Sequence, residues 1–215
     1  MDITELILDD HREQRHRFAI LEQADPGDPA ALSALWSRLA VFLEVHAAAE
    51  EQIFYPELLR GGVAGGSGAE RTAEDETLDA IHDHNDIRDA IAAVAGHEPG
   101  SSGWYAAVAA VNAANGDHMA EEEREGLTTF RRSASLRLRH ELALAFVTFE
   151  ARHFAGVPVR DTDPQTYVRE TEQRLAAPVA PPSGGTADPA AGGTAGTAGA
   201  DGSLGIGSLR GTAGP

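Results

Sequence analysis

Four long stretches of this chain repeat their apolar residues every three to four positions, and in each the stripe is broken by a histidine. That period belongs to helices with one buried face. In residues 3–24 the stripe is Ile7, His11, Gln14, Phe18 and Leu21, and in 29–60 it is Leu32, Leu35, Leu39, Phe42, His46, Glu50, Ile53 and Glu57. In 73–95 it is Ile81, His84, Arg88, Ile91 and Ala95, and in 102–125 Trp104, Val108, Val111, Asn115, His118 and Glu122. Buried polar groups are costly unless partnered. The chain is therefore restricted to a fold in which these four faces meet and satisfy one another.

Two of the stripes carry a carboxylate one turn beyond the histidine, in His46-Ala-Ala-Ala-Glu50-Glu51 and His118-Met-Ala-Glu-Glu122-Glu123. The i,i+4 spacing lets both side chains point at a common atom. One such pair is weak evidence. His82 and Asp86 have the same spacing on a polar face among Asp79 and Asp89, where a surface role is expected. The repeat carries more weight: His11 precedes His46 by 35 residues and His84 precedes His118 by 34. Two helix pairs of the form His … His-x-x-x-Glu predict an all-α fold, an up-down-up-down four-helix bundle.

The breaks agree. Asp28 before Pro29 reads as an N-cap with proline at the first helical position, and residues 61–68 and 96–103 read as glycine-rich loops. A fifth helical stretch is expected over 127–156, with Leu136, Leu138, Leu142, Leu144, Phe146, Val147 and Phe149 covering the bundle. Residues 157–177 read as a linker with a short helix near 165–176. Residues 178–215, almost all Ala, Gly, Thr, Pro and Ser, read as a disordered tail. The expected organisation is thus a helical bundle over 1–156, a linker and a tail.

Composition narrows the chemistry. The chain has no Cys, so a metal site must use nitrogen and oxygen donors. Its formal net charge is -17 with no Lys, which disfavours nucleic acid and anionic membrane surfaces. No signal-peptide pattern opens the chain and no apolar run approaches the roughly 20 residues of a membrane span, so the expected location is the cytoplasm. Six inward groups (His11, His46, Glu50, His84, His118 and Glu122) with few cations on their stripes call for positive charge from metal ions. Six ligands exceed what one tetrahedral zinc uses. They suit two iron or manganese ions, with Glu50 and Glu122 bridging.

These residues resemble those of the hemerythrin-like (HHE cation-binding) proteins, specifically an actinobacterial branch with the signature His … His-x-x-x-Glu … His … His-x-x-x-Glu. The resemblance covers about residues 1–156. It implies two non-haem iron ions, oxo- or hydroxo-bridged, held by the same six residues, and small-molecule ligands such as oxygen, peroxide or nitric oxide. In oxygen carriers of the family the third helix supplies a His-x-x-x-His pair, whereas here Arg88 follows His84 at that spacing. The fourth-helix carboxylate also lies one residue nearer its histidine than in the carriers. One imidazole fewer leaves a more open centre, suited to catalase-like peroxide removal or, alternatively, to sensing oxygen, nitric oxide or iron without turnover.

Other polar residues receive simpler readings. Glu51, Glu121 and Glu123 are expected to be solvated acids, and Glu125 to lie near the bundle end. Tyr55, half a turn off the His46 face, is expected away from the metals unless Pro56 distorts the helix. Asn115 and Gln14 are candidates for hydrogen bonds behind the ligands. His16, His97, His140 and His153 are expected at the surface, and Phe18, Trp36, Phe42 and Trp104 in the core.

Overall fold

Helix signals in the sequence set the boundaries closely. The computed structural model describes residues 1–64 and 72–177, and all regular structure among them is helical. Helix α1 (Ile3–Gln23) starts at Asp2, whose side chain accepts from the Thr4 N–H at 3.0 Å. Helix α2 (Pro29–Ala49) starts at Asp28, which accepts from the Ala31 N–H at 2.9 Å. A reciprocal Thr72–Asp75 capping box opens α4 (Ala73–Val94), and Ser101 caps α5 (Ser102–Arg124).

Helix α2 does not end at Ala49. It continues through a π-helical turn, Glu50–Phe54, into α3 (Tyr55–Ala64). Pro56 explains the turn. In a regular α-helix its ring would strike the carbonyl four residues back, and the wider π turn relieves that clash. Within the turn the Tyr55 N–H donates to the Glu50 carbonyl, five residues back. The next bond of that ladder would run from residue 56 to the Glu51 carbonyl, but proline has no N–H. The hydroxyl of Tyr167, on α8 (Pro164–Ala176), donates to that carbonyl instead.

Three sequence expectations change. Residues 61–64 are helical rather than loop, while the remainder of that loop, like the tail beyond residue 177, lies outside the described residues. The single helix expected over 127–156 is two, α6 (Gly126–Ser133) and α7 (Leu136–Arg152). Ser135 breaks it by accepting from the Leu138 N–H at 3.2 Å, starting a new helix. Finally, Pro29–Gly61 is long and apolar enough by length and composition to cross a membrane. Here it is one of the helices of the bundle, and the residues it buries include His46 and Glu50.

Helices α1, α2, α4 and α5 form the four-helix bundle; α7 packs on α1 and α2, and α8 on α4 and α3. The apolar side chains form two separate cores. One gathers Ile3, Ile7, Phe54, Leu58, Ile81, Phe130 and Phe146. The other gathers Phe18, Leu32, Leu39, Ile91, Val111 and the edge-to-face pair Trp36–Trp104, with ring centroids 6.4 Å apart. Each large side chain buried contributes about 1.5–3 kcal/mol. Between the two cores lies a buried polar layer: His11, Gln14, His46, Glu50, His84, Asn115, His118 and Glu122. The layer is where the apolar stripes of the sequence are interrupted.

Candidate metal centre

All six predicted site residues are buried in this layer, with His11 and Glu50 wholly inaccessible. Five of them form two triads whose donor atoms converge: His11, His46 and Glu50, and Glu50, His84 and His118. Glu50 belongs to both. Its Oε1 lies 2.9 Å from His46 Nε2 and 3.9 Å from His11 Nε2, while its Oε2 lies 3.4 Å from His84 Nε2. One oxygen thus faces each histidine pair. Glu122 stands beside the triads, with Oε2 3.4 Å from His11 Nε2 and Oε1 accepting the Tyr55 hydroxyl at 3.0 Å.

The outer ring nitrogens explain why the inner ones face inward. Each histidine turns Nδ1 to a carboxylate: His11 to Glu123 at 2.9 Å, His46 to Asp10 at 3.2 Å, His84 to Glu51 at 2.9 Å and His118 to Asp83 at 3.4 Å. A carboxylate there holds the proton on Nδ1 and leaves the Nε2 lone pair for a cation. Two arginines brace the arrangement, Arg15 on Glu123 at 2.8 Å and Arg88 on Glu51 at 2.6 Å.

These partners are legible in the sequence once the whole pattern is written out. Asp-His-x-x-x-Arg … His-x-x-x-Glu-Glu occurs at 10–51 and again at 83–123. The acid before each first histidine serves the second histidine of its own half. The acid after each glutamate serves the first histidine of the other half. Glu51 and Glu123 are therefore not the solvated acids that their neighbourhood in the sequence suggests. Their side chains are 14% and 28% exposed and bind the candidate ligands from behind.

Tyr55 also departs from expectation. In a regular helix, nine residues beyond His46, it would lie about 180° round the axis; the extra residue of the π turn reduces this to about 80° and brings it inward. Asn115 and Gln14 hydrogen-bond to each other at 2.9 Å rather than to a histidine. His82 is exposed beside Asp86 at 3.7 Å, and His140 reaches only the Met1 carbonyl.

The donor set fits a cation. His11 Nε2, His46 Nε2, both Glu50 oxygens and Glu122 Oε2 are buried without a hydrogen bond, although several lie within 4 Å of one another. His84 Nε2 and His118 Nε2 face each other at 3.1 Å. Buried lone pairs and carboxylates in this arrangement cost several kcal/mol unless positive charge is placed among them. Six carboxylates (Glu50, Glu122, Asp10, Asp83, Glu51 and Glu123) stand against two guanidiniums, and two divalent cations balance the difference.

Without a cation, protons do the balancing. Burial would raise Glu50, but His46, His11 and His84 around it hold its carboxyl well below the usual range. Burial and the Glu50 charge push Glu122 well above it. Burial alone would depress His84, and Glu50 and Glu51 override it and raise the ring to about 9. Hydrogen bonding to His11 brings Glu123 down to about 2.

Fold and site together define a helical-bundle protein with a buried nitrogen–oxygen cation site. The hemerythrin HHE cation binding domain model matches residues 2–129, and the chain belongs to that family. No curated protein and no solved structure matches it significantly. Helices α7 and α8 lie beyond the matched residues yet reach the site. The Phe146 ring packs edge-on against His46 at 5.8 Å, and Tyr167 holds the Glu51 carbonyl.

Proposed function

We propose that this chain is a non-haem di-iron protein whose centre binds or reacts with oxygen, peroxide or nitric oxide, with catalase-like peroxide removal as its activity. The observation that carries the reading is Glu50, which offers one oxygen, lacking a hydrogen bond, to each of two histidine pairs. His11 and His46 would hold one ion, His84 and His118 the other, with Glu50 between them and Glu122 as the sixth ligand. Iron bound there supplies the redox and Lewis-acid chemistry.

The chain's own residues do the rest. The four outer carboxylates fix the imidazoles, and the Phe146 and Tyr55 rings shield the centre from bulk water. Tyr55 Oη and Glu122 hold a proton beside it. Arg88 occupies the position of a further third-helix histidine, but its guanidinium is bound to Glu51, away from the centre. That leaves the His84–His118 side short of one imidazole. This side also borders a pocket walled by Tyr55, Asp83, His118 and Glu122, which suits small neutral reactants better than anions.

A sensing role rests on a different observation: α7 and α8, outside the family match, touch the shell at Phe146 and Tyr167 and so can report its state. Metal analysis and an aerobic optical spectrum of untagged protein come first. About two irons per chain, with a charge-transfer band lost in His46→Ala or His118→Ala, are expected. Oxygen evolution from peroxide well above that of free iron supports the enzyme, and stable adducts without turnover support the sensor. A folded chain that holds no metal and takes none on reconstitution would end the di-iron reading.

A further inference from the structure

One turn from the candidate ligands, on the side of the Trp36–Trp104 core, each bundle helix buries one residue: Gln14, Leu43, Ile87 and Asn115. Each is three residues from a candidate histidine, after it on α1 and α4 and before it on α2 and α5, so the four share one level of the bundle. The two-fold repeat of the shell fails at this level. Gln14 of the first half corresponds to Ile87 of the second, and Asn115 of the second to Leu43 of the first. Arg88, beside Ile87 in the chain, is committed to Glu51 and Asn85.

The two amides form a pair of fixed polarity. Asn115 Nδ2 lies 2.9 Å from Gln14 Oε1 and 3.6 Å from Met119 Sδ, and a thioether only accepts. Gln14 therefore gives its oxygen to Asn115. Its Nε2, a donor on a side chain only 1% exposed, is left buried with no hydrogen bond. Such a donor is costly unless something accepts from it. The next turn away from the centre offers no acceptor side chain on these two helices, since it holds Phe18 and Val111. In the other direction stands the centre, and the long Gln14 side chain leans that way, because helical side chains tilt toward the N-terminus of their helix. We propose that Gln14 Nε2, held in place by Asn115, is the hydrogen-bond donor to the small molecule that binds at the centre. The proposal rests on the di-iron reading and names the residue that favours one ligand over another. With Leu43 and Ile87 on the other two helices, the bond forms in apolar surroundings, where it is stronger than in water. A ligand that accepts a hydrogen bond is thus held longer than one of equal size that does not.

The test uses the full-length protein loaded with iron(II), with nitric oxide as the probe. Iron content, the rate of nitric oxide release into a trap, and the N–O stretching frequency in water and in deuterium oxide are measured for wild type, Gln14→Leu and Gln14→Leu/Asn115→Leu. The double variant makes both partners apolar, which a fold tolerates better than one unpaired amide, so it decides if the single variant does not fold. The donor predicts a stretch that shifts in deuterium oxide in wild type and in neither variant. Release should be about three- to tenfold faster without the amide, at unchanged iron content. An unchanged release rate with an unchanged isotope shift would overturn the donor, even if Tm falls, since the amide pair would then serve only the fold. A lowered iron content would also overturn it, by making the pair a support for the metal ligands. A wild type that holds iron but forms no nitric oxide adduct overturns the donor and leaves the centre standing. A wild type that takes up no iron fails at the di-iron reading itself, and the donor falls with it.

Discussion

At the scale of single residues, what defines this protein is the division of labour between the two nitrogens of four imidazoles. Each Nδ1 is committed to a carboxylate, which turns each Nε2 toward the centre. Losing such a partner typically weakens a metal site by about 10–100-fold. Glu51→Gln and Glu123→Gln are each expected to lower metal affinity about tenfold in chelator competition, and affinities within twofold of wild type would show these acids to be mere surface. Proton linkage gives a second check. In the metal-free protein His84 is held charged up to about 9, above its ordinary 6.5, so at neutral pH a metal must displace a proton from it. Apparent affinity should therefore rise with pH until about 9. Calorimetry in buffers of different ionisation enthalpy should find proton release, and its absence at pH 7 would contradict this protonation. The six candidate ligands were readable because each interrupts an apolar stripe. Their carboxylate partners sit one residue away from ligands, pointing across to another helix, and one-dimensional periodicity does not reveal which helix that is.

Helical elements were legible to within a residue or two wherever caps were written into the chain, as at Asp2, Asp28, Thr72 and Ser101. Two features escaped for physical reasons. Ser135 is a cap only if the chain turns there, and a serine inside an apolar helical pattern does not announce that it will. The π turn depends on Pro56 being tolerated in mid-helix, which requires the Glu51 carbonyl to find a donor other than its own helix. Tyr167 of α8 supplies one. Tyr167→Phe is expected to leave that carbonyl without its partner, at a cost of about 1–3 kcal/mol. For a compact unit of this size that corresponds to a fall in Tm of about 3–9 °C. Calorimetry measures the fall, and hydrogen exchange should locate the loosening at Glu50–Phe54. A Tm within 1 °C of wild type would mean that the π turn stands without α8.

For the molecule as a whole, two apolar cores are held apart by a polar layer whose burial is costly without positive charge. Stability should therefore be tied to metal. A ligand at about a thousand times its Kd adds about 4 kcal/mol to the folded state, which is about 8–16 °C for a chain of this length. Chelation should lower Tm by an amount of that order, and no change would make the layer self-sufficient. The two glutamates separate charge from shape. Glu122 sits well above the usual carboxylate range because burial and the Glu50 charge disfavour its ionised form. Glu122→Gln preserves the acceptor for Tyr55 and should leave the metal-free Tm within about 2 °C, while reducing the rise on metal addition. Glu50→Gln removes the one group shared by both triads and should abolish most of that rise. Because Glu122 stands outside the triads, it is the decisive member of the pair. If Glu122→Gln keeps the full metal-dependent rise while Glu50→Gln loses it, the centre is built from two three-donor sets sharing Glu50, with Glu122 serving the Tyr55 hydrogen bond rather than the metals.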